Sequence, residues 1–272
     1  MVFVVFAVCY STLMIPVALT IAGSDPSGGA GIQADIKTFH QLGVYGMSVL
    51  TLVTVQNTQG VQAVELLSAG LVGAQLDAVL EDITPHAAKT GALGDEGIIA
   101  AVARRAAGFT FPLVVDPVMI SKHGLPLIAE RARATLAEQL IPHAALVTPN
   151  LHEAGVLAGM PVRDLGEMEE AARRIAALGA AAVLIKGGHL PGEAVDVLCW
   201  QAGILHFSSP RVDTRHTHGT GCTYSAAITA GLARGLSLPQ AIENAKKFIT
   251  LAIQSNPGLG RGCGPVNHHV VL

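Results

Sequence analysis

Short apolar runs rich in Val, Ile and Leu alternate with segments of helical periodicity along nearly the whole chain, and this alternation limits its fold more than any other feature. The β-rich runs occupy 17–22, 47–55, 86–90, 112–116, 144–148, 181–186 and 194–200. Helix-like segments lie at 30–42, 69–81, 95–107, 127–140, 167–178, 220–234 and 238–254. Runs such as Leu113-Val114-Val115 and Ala182-Val183-Leu184-Ile185 have no polar face, which suits a parallel sheet covered on both sides. The pattern predicts an α/β fold with a mainly parallel central sheet and helices on both faces. No Pro/Gly/Ser-rich linker and no internal repeat divides the chain, so residues 14–272 read as a single domain.

Half of the 272 residues are apolar and only 14% are charged, which is enough for a large core and excludes disorder. A net charge of −3 without any Lys/Arg run argues against nucleic acid or an anionic membrane as partner. Cys9, Cys199, Cys222 and Cys263 form no C-x-x-C pair, which fits free thiols in a reducing, cytoplasmic compartment. The first 24 residues carry no charge, so no basic flank precedes the apolar stretch Met1–Tyr10 as a signal peptide requires. A membrane helix there would consume the strand Val17-Ala18-Leu19-Thr20-Ile21. Residues 1–13 are therefore expected to be a dispensable extension, with the natural start near Met14.

Ligands of such sheets bind outside the carboxyl ends of the strands. Gly23-Ser24-Asp25-Pro26-Ser27-Gly28-Gly29-Ala30-Gly31 follows the first run, with Gln33 and Asp35 in the next helix. Gln56 and Asn57 follow the second. Later runs end at Asp116, at Thr148-Pro149-Asn150 with Glu153 beyond, and at Lys186-Gly187-Gly188-His189.

The stretch His216-Thr217-His218-Gly219-Thr220-Gly221-Cys222-Thr223 enters a long apolar helix. Amides at a helix start are unpaired and the dipole adds positive charge, so glycines there suit a phosphate or a developing oxyanion. A thiol in this first turn is expected to ionise more readily than a free cysteine. The competing reading is a glycine-rich helix entry with Cys222 as a small buried apolar residue.

Two nucleotide fingerprints are absent or incomplete. No glycine is followed by Lys-Ser or Lys-Thr, which excludes a P-loop. Gly29-x-Gly31-x-x-Ala34 lacks its ribose-binding acid, since the first acidic residue after Asp35 is Glu65. Asn150 and Glu153 lie one turn apart on a helix and offer hard oxygens to Mg²⁺, with Asp116 as a second carboxylate. The same pair also reads as a helix N-cap with a capping box. Lys186 at the end of an apolar strand needs an anion or a carboxylate nearby.

Several stretches together resemble the bacterial hydroxymethylpyrimidine/phosphomethylpyrimidine kinases of the ribokinase-like superfamily. They are Leu19–Asp35 with Lys37-Thr38-Phe39, Val55–Gly60, Lys89–Leu93, Val115–Met119, Thr148–Glu153, Lys186–His189, Thr217–Thr223 and Gly264–His268. The resemblance covers about residues 17 to 268. The combination of Gly-Ser-Asp-Pro-Ser-Gly-Gly-Ala-Gly with His-Gly-Thr-Gly-Cys is its most specific part. Sugar kinases of the superfamily carry an aspartate where this chain has Cys222, and a cysteine there is typical of the pyrimidine branch and of similar pyridoxal kinases. Ala92 stands where some relatives have a methionine, and His123 lies in a variable lid-like stretch.

The resemblance implies two ATP-dependent phosphorylations of 4-amino-5-hydroxymethyl-2-methylpyrimidine, giving the monophosphate and then the diphosphate for thiamine. It implies substrate contacts from Gln56, Asp35, Gly23 and Ala30, and nucleotide contacts from Thr148, Asn150, Lys186 and Thr220. Catalytic roles fall to Gly219, Thr220, Gly221, Cys222 and Lys186, with Mg²⁺ near Asp116, Asn150 and Glu153 and a homodimeric assembly. Pyridoxal kinase activity is the enzymatic alternative, and a pyrimidine-binding regulator without turnover is the non-enzymatic one.

Overall fold

The computed structural model describes residues 15–120, 124–125, 127–188, 190, 192–201 and 203–272. The extension expected over residues 1–13, and the positions of His123 and His189, lie outside the described residues.

One nine-stranded sheet runs through them, in the order β3-β2-β1-β4-β5-β6-β7-β8-β9. Its strands are β1 (Val17–Ser24), β2 (Tyr45–Asn57), β3 (Gly60–Leu66), β4 (Ala87–Thr90), β5 (Leu113–Val115), β6 (Leu146–Val147), β7 (Ala182–Ile185), β8 (Ala194–Trp200) and β9 (Gly203–Ser209). The pairs β2–β1, β1–β4, β4–β5, β5–β6 and β6–β7 are parallel. β3 adds antiparallel to one side, and β8 and β9 add antiparallel to the other. β3 and β9 escape the apolar-run pattern because they are edge strands, half exposed and punctuated by Gln62, Glu65 and His206.

The helices are α1 (Gly31–Gln41), α2 (Ala69–Asp82), α3 (Glu96–Ala106), α4 (Glu130–Thr135), α5 (Leu151–Ala158), α6 (Leu165–Ala176), α7 (Thr220–Ala233) and α8 (Leu238–Gln254). The helix expected over 127–140 starts three residues later and passes into a π-helical turn at Leu136–Leu140. On one face of the sheet, α7 packs between α1 and α8, burying Phe39, Tyr224, Ile228, Ile242 and Phe248. The other face carries α2, α3, α4 and α6 over Leu19, Ile21, Val115, Val183 and Ile185. Each such side chain contributes about 1.5–3 kcal/mol on burial. Because α7 is covered on nearly all sides, it is apolar around its circumference, and Gly231 lets Ala241 of α8 approach it closely.

From β1 the chain passes through α1 to β2 on one side, and α2 carries it from β3 back past β1 to β4 on the other. β1 is thus the switch point, and a crevice opens at its carboxyl end.

Candidate active site

A cavity of about 690 Å³ fills that crevice. Its wall includes Gly23, Ala30, Gln56, Asp116, Asn150, Glu153, Lys186, Gly219, Thr220, Gly221 and Cys222. Strand pairing sets their height: Lys186 N donates to Pro149 O at 2.9 Å, which aligns the end of β7 with Asn150.

Two helices begin at this cavity, α1 at Gly31 and α7 at Thr220, and neither start carries a side-chain cap. Elsewhere the side chains of Ser68, Asp95, Asn150 and Asp164 cap α2, α3, α5 and α6. The two uncapped starts leave first-turn amides, including those of Gly221 and Cys222, available to an anion. Backbone geometry makes the glycines obligatory. Gly219 has φ +77°, and a Cβ there would lie 1.7 Å from Gly29 O. Gly31 has φ +57°, and its Cβ would lie 2.3 Å from Gly23 O.

Cys222 lies where these two helix starts meet and accepts a hydrogen bond from the Gly31 amide. The expectation of an easily ionised thiol is overturned. Burial pushes the Cys222 thiol up to about 11, against the opposing pull of Lys89 and the Gly31 amide. Desolvation here outweighs these stabilising contributions to the thiolate.

Lys186 Nζ donates to Asp116 Oδ1 at 3.0 Å, and Ser225 Oγ donates to Asp116 Oδ2 at 3.1 Å. A Cβ on Gly221 would lie 3.4 Å from Lys186 Nζ, so the ammonium stands beside the glycine turn. Burial disfavours its charge, and the carboxylates of Asp116 and Glu153 more than offset this, holding its pKa above the usual lysine value. Both readings of Lys186 therefore hold: it is paired, and it faces the cavity.

Asn150 and Glu153 form the capping box of α5. Asn150 Oδ1 accepts from Glu153 N at 2.9 Å and Glu153 Oε2 accepts from Asn150 N at 2.8 Å. Burial raises the Glu153 carboxyl to about 7, Lys186 opposing and Asp116 assisting the rise. Among the described residues no group of three His, Cys, Asp or Glu side chains could hold a metal ion. A closed protein cage for Mg²⁺ is thus not built. Asp116 and Glu153 both line the cavity, which fits a hydrated ion held by them through water.

Two expected contact residues lie off the wall. Asp35 is fully buried beneath the cavity, accepting from Lys89 Nζ at 2.8 Å and Thr20 Oγ1 at 2.6 Å. It pairs with Lys89 and does not line the cavity. Thr148, also buried, is not part of the lining, because the chain reaches the cavity only at Asn150.

Other lining residues carry chemistry that sequence reading left unassigned. Asp25 and His218 face each other at 2.7 Å. Asp196 accepts from Lys246 Nζ at 2.7 Å, from Tyr224 OH at 3.0 Å and from Gly187 N at 3.0 Å, pinning the backbone just after Lys186. Asp25 reads as a turn residue and Lys246 as one more charge on an amphipathic helix, so no local signal marks them.

The sequence profile of the phosphomethylpyrimidine kinases matches residues 25–267. The chain belongs to this family. A hydroxymethylpyrimidine/phosphomethylpyrimidine kinase of Bacillus subtilis is 47% identical over 254 residues, covering 92% of this chain and 94% of the relative. Among solved structures, an ADP complex of Bacillus subtilis pyridoxal kinase superposes with a TM-score of 0.86 at 42% identity, covering 93% of this chain and 97% of that one. The phosphomethylpyrimidine kinase of Clostridium difficile superposes with a TM-score of 0.78 at 44% identity, covering 87% and 99%. The fold is ribokinase-like and the protein is an ATP-dependent kinase. Among the described residues no helix is long and apolar enough to cross a membrane.

Proposed function

We propose that this kinase transfers phosphoryl groups from ATP to 4-amino-5-hydroxymethyl-2-methylpyrimidine and then to its monophosphate, for thiamine synthesis. The observation that carries the reading is a single cavity with the Gln56 carboxamide on its wall and the Gly219–Cys222 turn on the same wall. A carboxamide matches an aminopyrimidine because each offers both a donor and an acceptor. Val212, Ile249 and Ile253 give the cavity an apolar portion suited to a nucleotide base.

Phosphoryl transfer needs positioning and charge neutralisation more than covalent chemistry. The amides of the α7 start receive the moving phosphoryl oxygens. Lys186 stays protonated and balances their charge from beside Gly221. Bound Mg²⁺ neutralises the phosphates further. The neutral Cys222 thiol lines the anion hole next to the acceptor hydroxyl, which loses its proton late in a loose transition state. The glycine-rich 23–31 loop leaves room for the first-strand backbone to flank the substrate ring.

The reading also places the enzyme in the cytoplasm as a homodimer. The exposed Val53 and Val55 on β2 support a partner copy, and light scattering after size exclusion measures it.

Purified enzyme incubated with ATP and either the aminopyrimidine or pyridoxal tests the assignment by product mass. Two successive phosphate additions to the pyrimidine are expected. A higher kcat/KM for pyridoxal assigns the chain to the activity named for its Bacillus subtilis structural neighbour, and binding without turnover makes it a regulator.

A further inference from the structure

We infer that Asp25 and His218 act as one positioning unit that fixes the substrate-binding loop and the phosphoryl-binding turn against each other. The inference rests on reading Gly219–Cys222 as the anion hole.

Asp25 is the anchor of the β1–α1 loop. Its Oδ1 accepts from Ser27 N at 2.8 Å and Ser27 Oγ at 2.7 Å. Its Oδ2 accepts from Gly29 N at 3.1 Å, Ala30 N at 2.8 Å and His218 Nε2 at 2.7 Å. Burial pushes the carboxyl up, but hydrogen bonds from His218, Gln56 and Ser27 outweigh it and hold it below the usual carboxylate range. An ionised carboxylate only accepts, so Nε2 of His218 must donate to it.

His218 immediately precedes Gly219. Its backbone is held on the far side by Gly264 O, which accepts from His218 N at 3.0 Å, and by Val266 N, which donates to His218 O at 3.3 Å. Gly29 leaves room for the imidazole, since a Cβ there would lie 2.5 Å from His218 Cδ2. Asp25, His218 and Gly219 thus link the β1–α1 loop directly to the anion hole. The Asp25–His218 contact joins residues 193 apart in sequence. This arrangement answers a geometric need: the acceptor hydroxyl and the moving phosphoryl are held by different loops, and a misplacement of about 1 Å between them costs about 10²-fold in rate.

The test compares Asp25→Asn, His218→Leu, His218→Gln and the Asp25→Asn/His218→Leu double variant in the full chain, with thermal melts to confirm folding. Asp25→Asn and His218→Leu are each expected to lower kcat by about 10²-fold, with the KM for ATP nearly unchanged. The double variant should lose no more than the worse single one, because both remove the same unit. Glutamine, which keeps a donor at the end of its side chain, should restore most of the His218→Leu loss. If Asp25→Asn does not fold, the glutamine–leucine comparison alone decides. Multiplicative losses, an unchanged kcat, or equal damage from glutamine and leucine would overturn the inference. Gly221→Val is the control for the underlying reading: if it retains activity, the anion hole is misplaced whatever the Asp25 and His218 variants do.

Discussion

The carbonyl oxygen of Gly29 occupies the space a side chain on Gly219 would need, 1.7 Å from its ideal Cβ. Two loops far apart in sequence therefore meet backbone to backbone, and the left-handed conformation at Gly219 exposes the amides that follow it. Gly219→Ala is expected to abolish measurable kinase activity, because both the φ of +77° and the contact must give way. A steady-state assay with a thermal melt checks this. Full activity in the alanine variant would show the turn to be far more pliable than its packing implies.

Cys222 offers a pH test. With its thiol raised to about 11 by burial, roughly one molecule in 10⁴ carries a thiolate at pH 7. kcat/KM is expected to have no limb between pH 6 and 9 that depends on this residue, and Cys222→Ser should keep activity within about tenfold, against the 10²–10⁴-fold typical of a lost general base. A limb in the wild type that vanishes with serine would make the thiol a true base. Alkylation of Cys222 should be slow at pH 8 and accelerate toward pH 11.

Lys186 is expected to matter to both stability and rate. Lys186→Met leaves buried Asp116 with Ser225 as its one side-chain donor among the described residues, which costs about 3–5 kcal/mol as for a broken buried pair. kcat should fall by about 10²–10³-fold through lost charge stabilisation. Denaturant titration and kinetics measure the two separately, and a large stability loss with unchanged kcat would leave Lys186 a purely structural residue.

His268 predicts an acid-sensitive window. Its Nε2 lies 3.1 Å from Thr223 Oγ1 behind the glycine turn, and burial, with Lys37 nearby, lowers its pKa to about 4. The folded protein then binds the proton more weakly than the unfolded chain, so this stabilisation is full above about pH 6.5 and is lost as pH falls toward 4. The decline attributable to it is about 3 kcal/mol at most. Urea midpoints measured across pH 4–7 should fall less steeply in His268→Gln, and an unchanged slope would reject the assignment.

Gln56→Leu removes the carboxamide from the cavity wall. Unpaired polar groups on a bound aminopyrimidine cost about 1–3 kcal/mol each. The variant should therefore lose most of its preference for the aminopyrimidine over an analogue lacking the amino group, read as a ratio of kcat/KM values.

The sequence by itself determined the inner strands of the sheet, most of its helices and the level at which function sits. Apolar runs at β1, β5 and β7 are written by burial on both faces, and burial on both faces is a property each strand carries locally. The glycine turn before α7 was legible for the same reason, since a helix start and a left-handed glycine are local features. The tertiary structure alone decided what those residues do. Asp35 and Asp25 look equally available in sequence, yet Asp35 sinks beneath the cavity onto Lys89 while Asp25 faces His218 across it. Asn150 and Glu153 read equally well as a cap or as metal ligands, and the structure forms the capping box. Cys222 has the helix-start context of a reactive thiol, and its burial makes it the opposite. For Asp35, Asp25 and Cys222 the outcome turns on desolvation and on partners tens to hundreds of residues away. These depend on how distant segments pack, which no local pattern encodes.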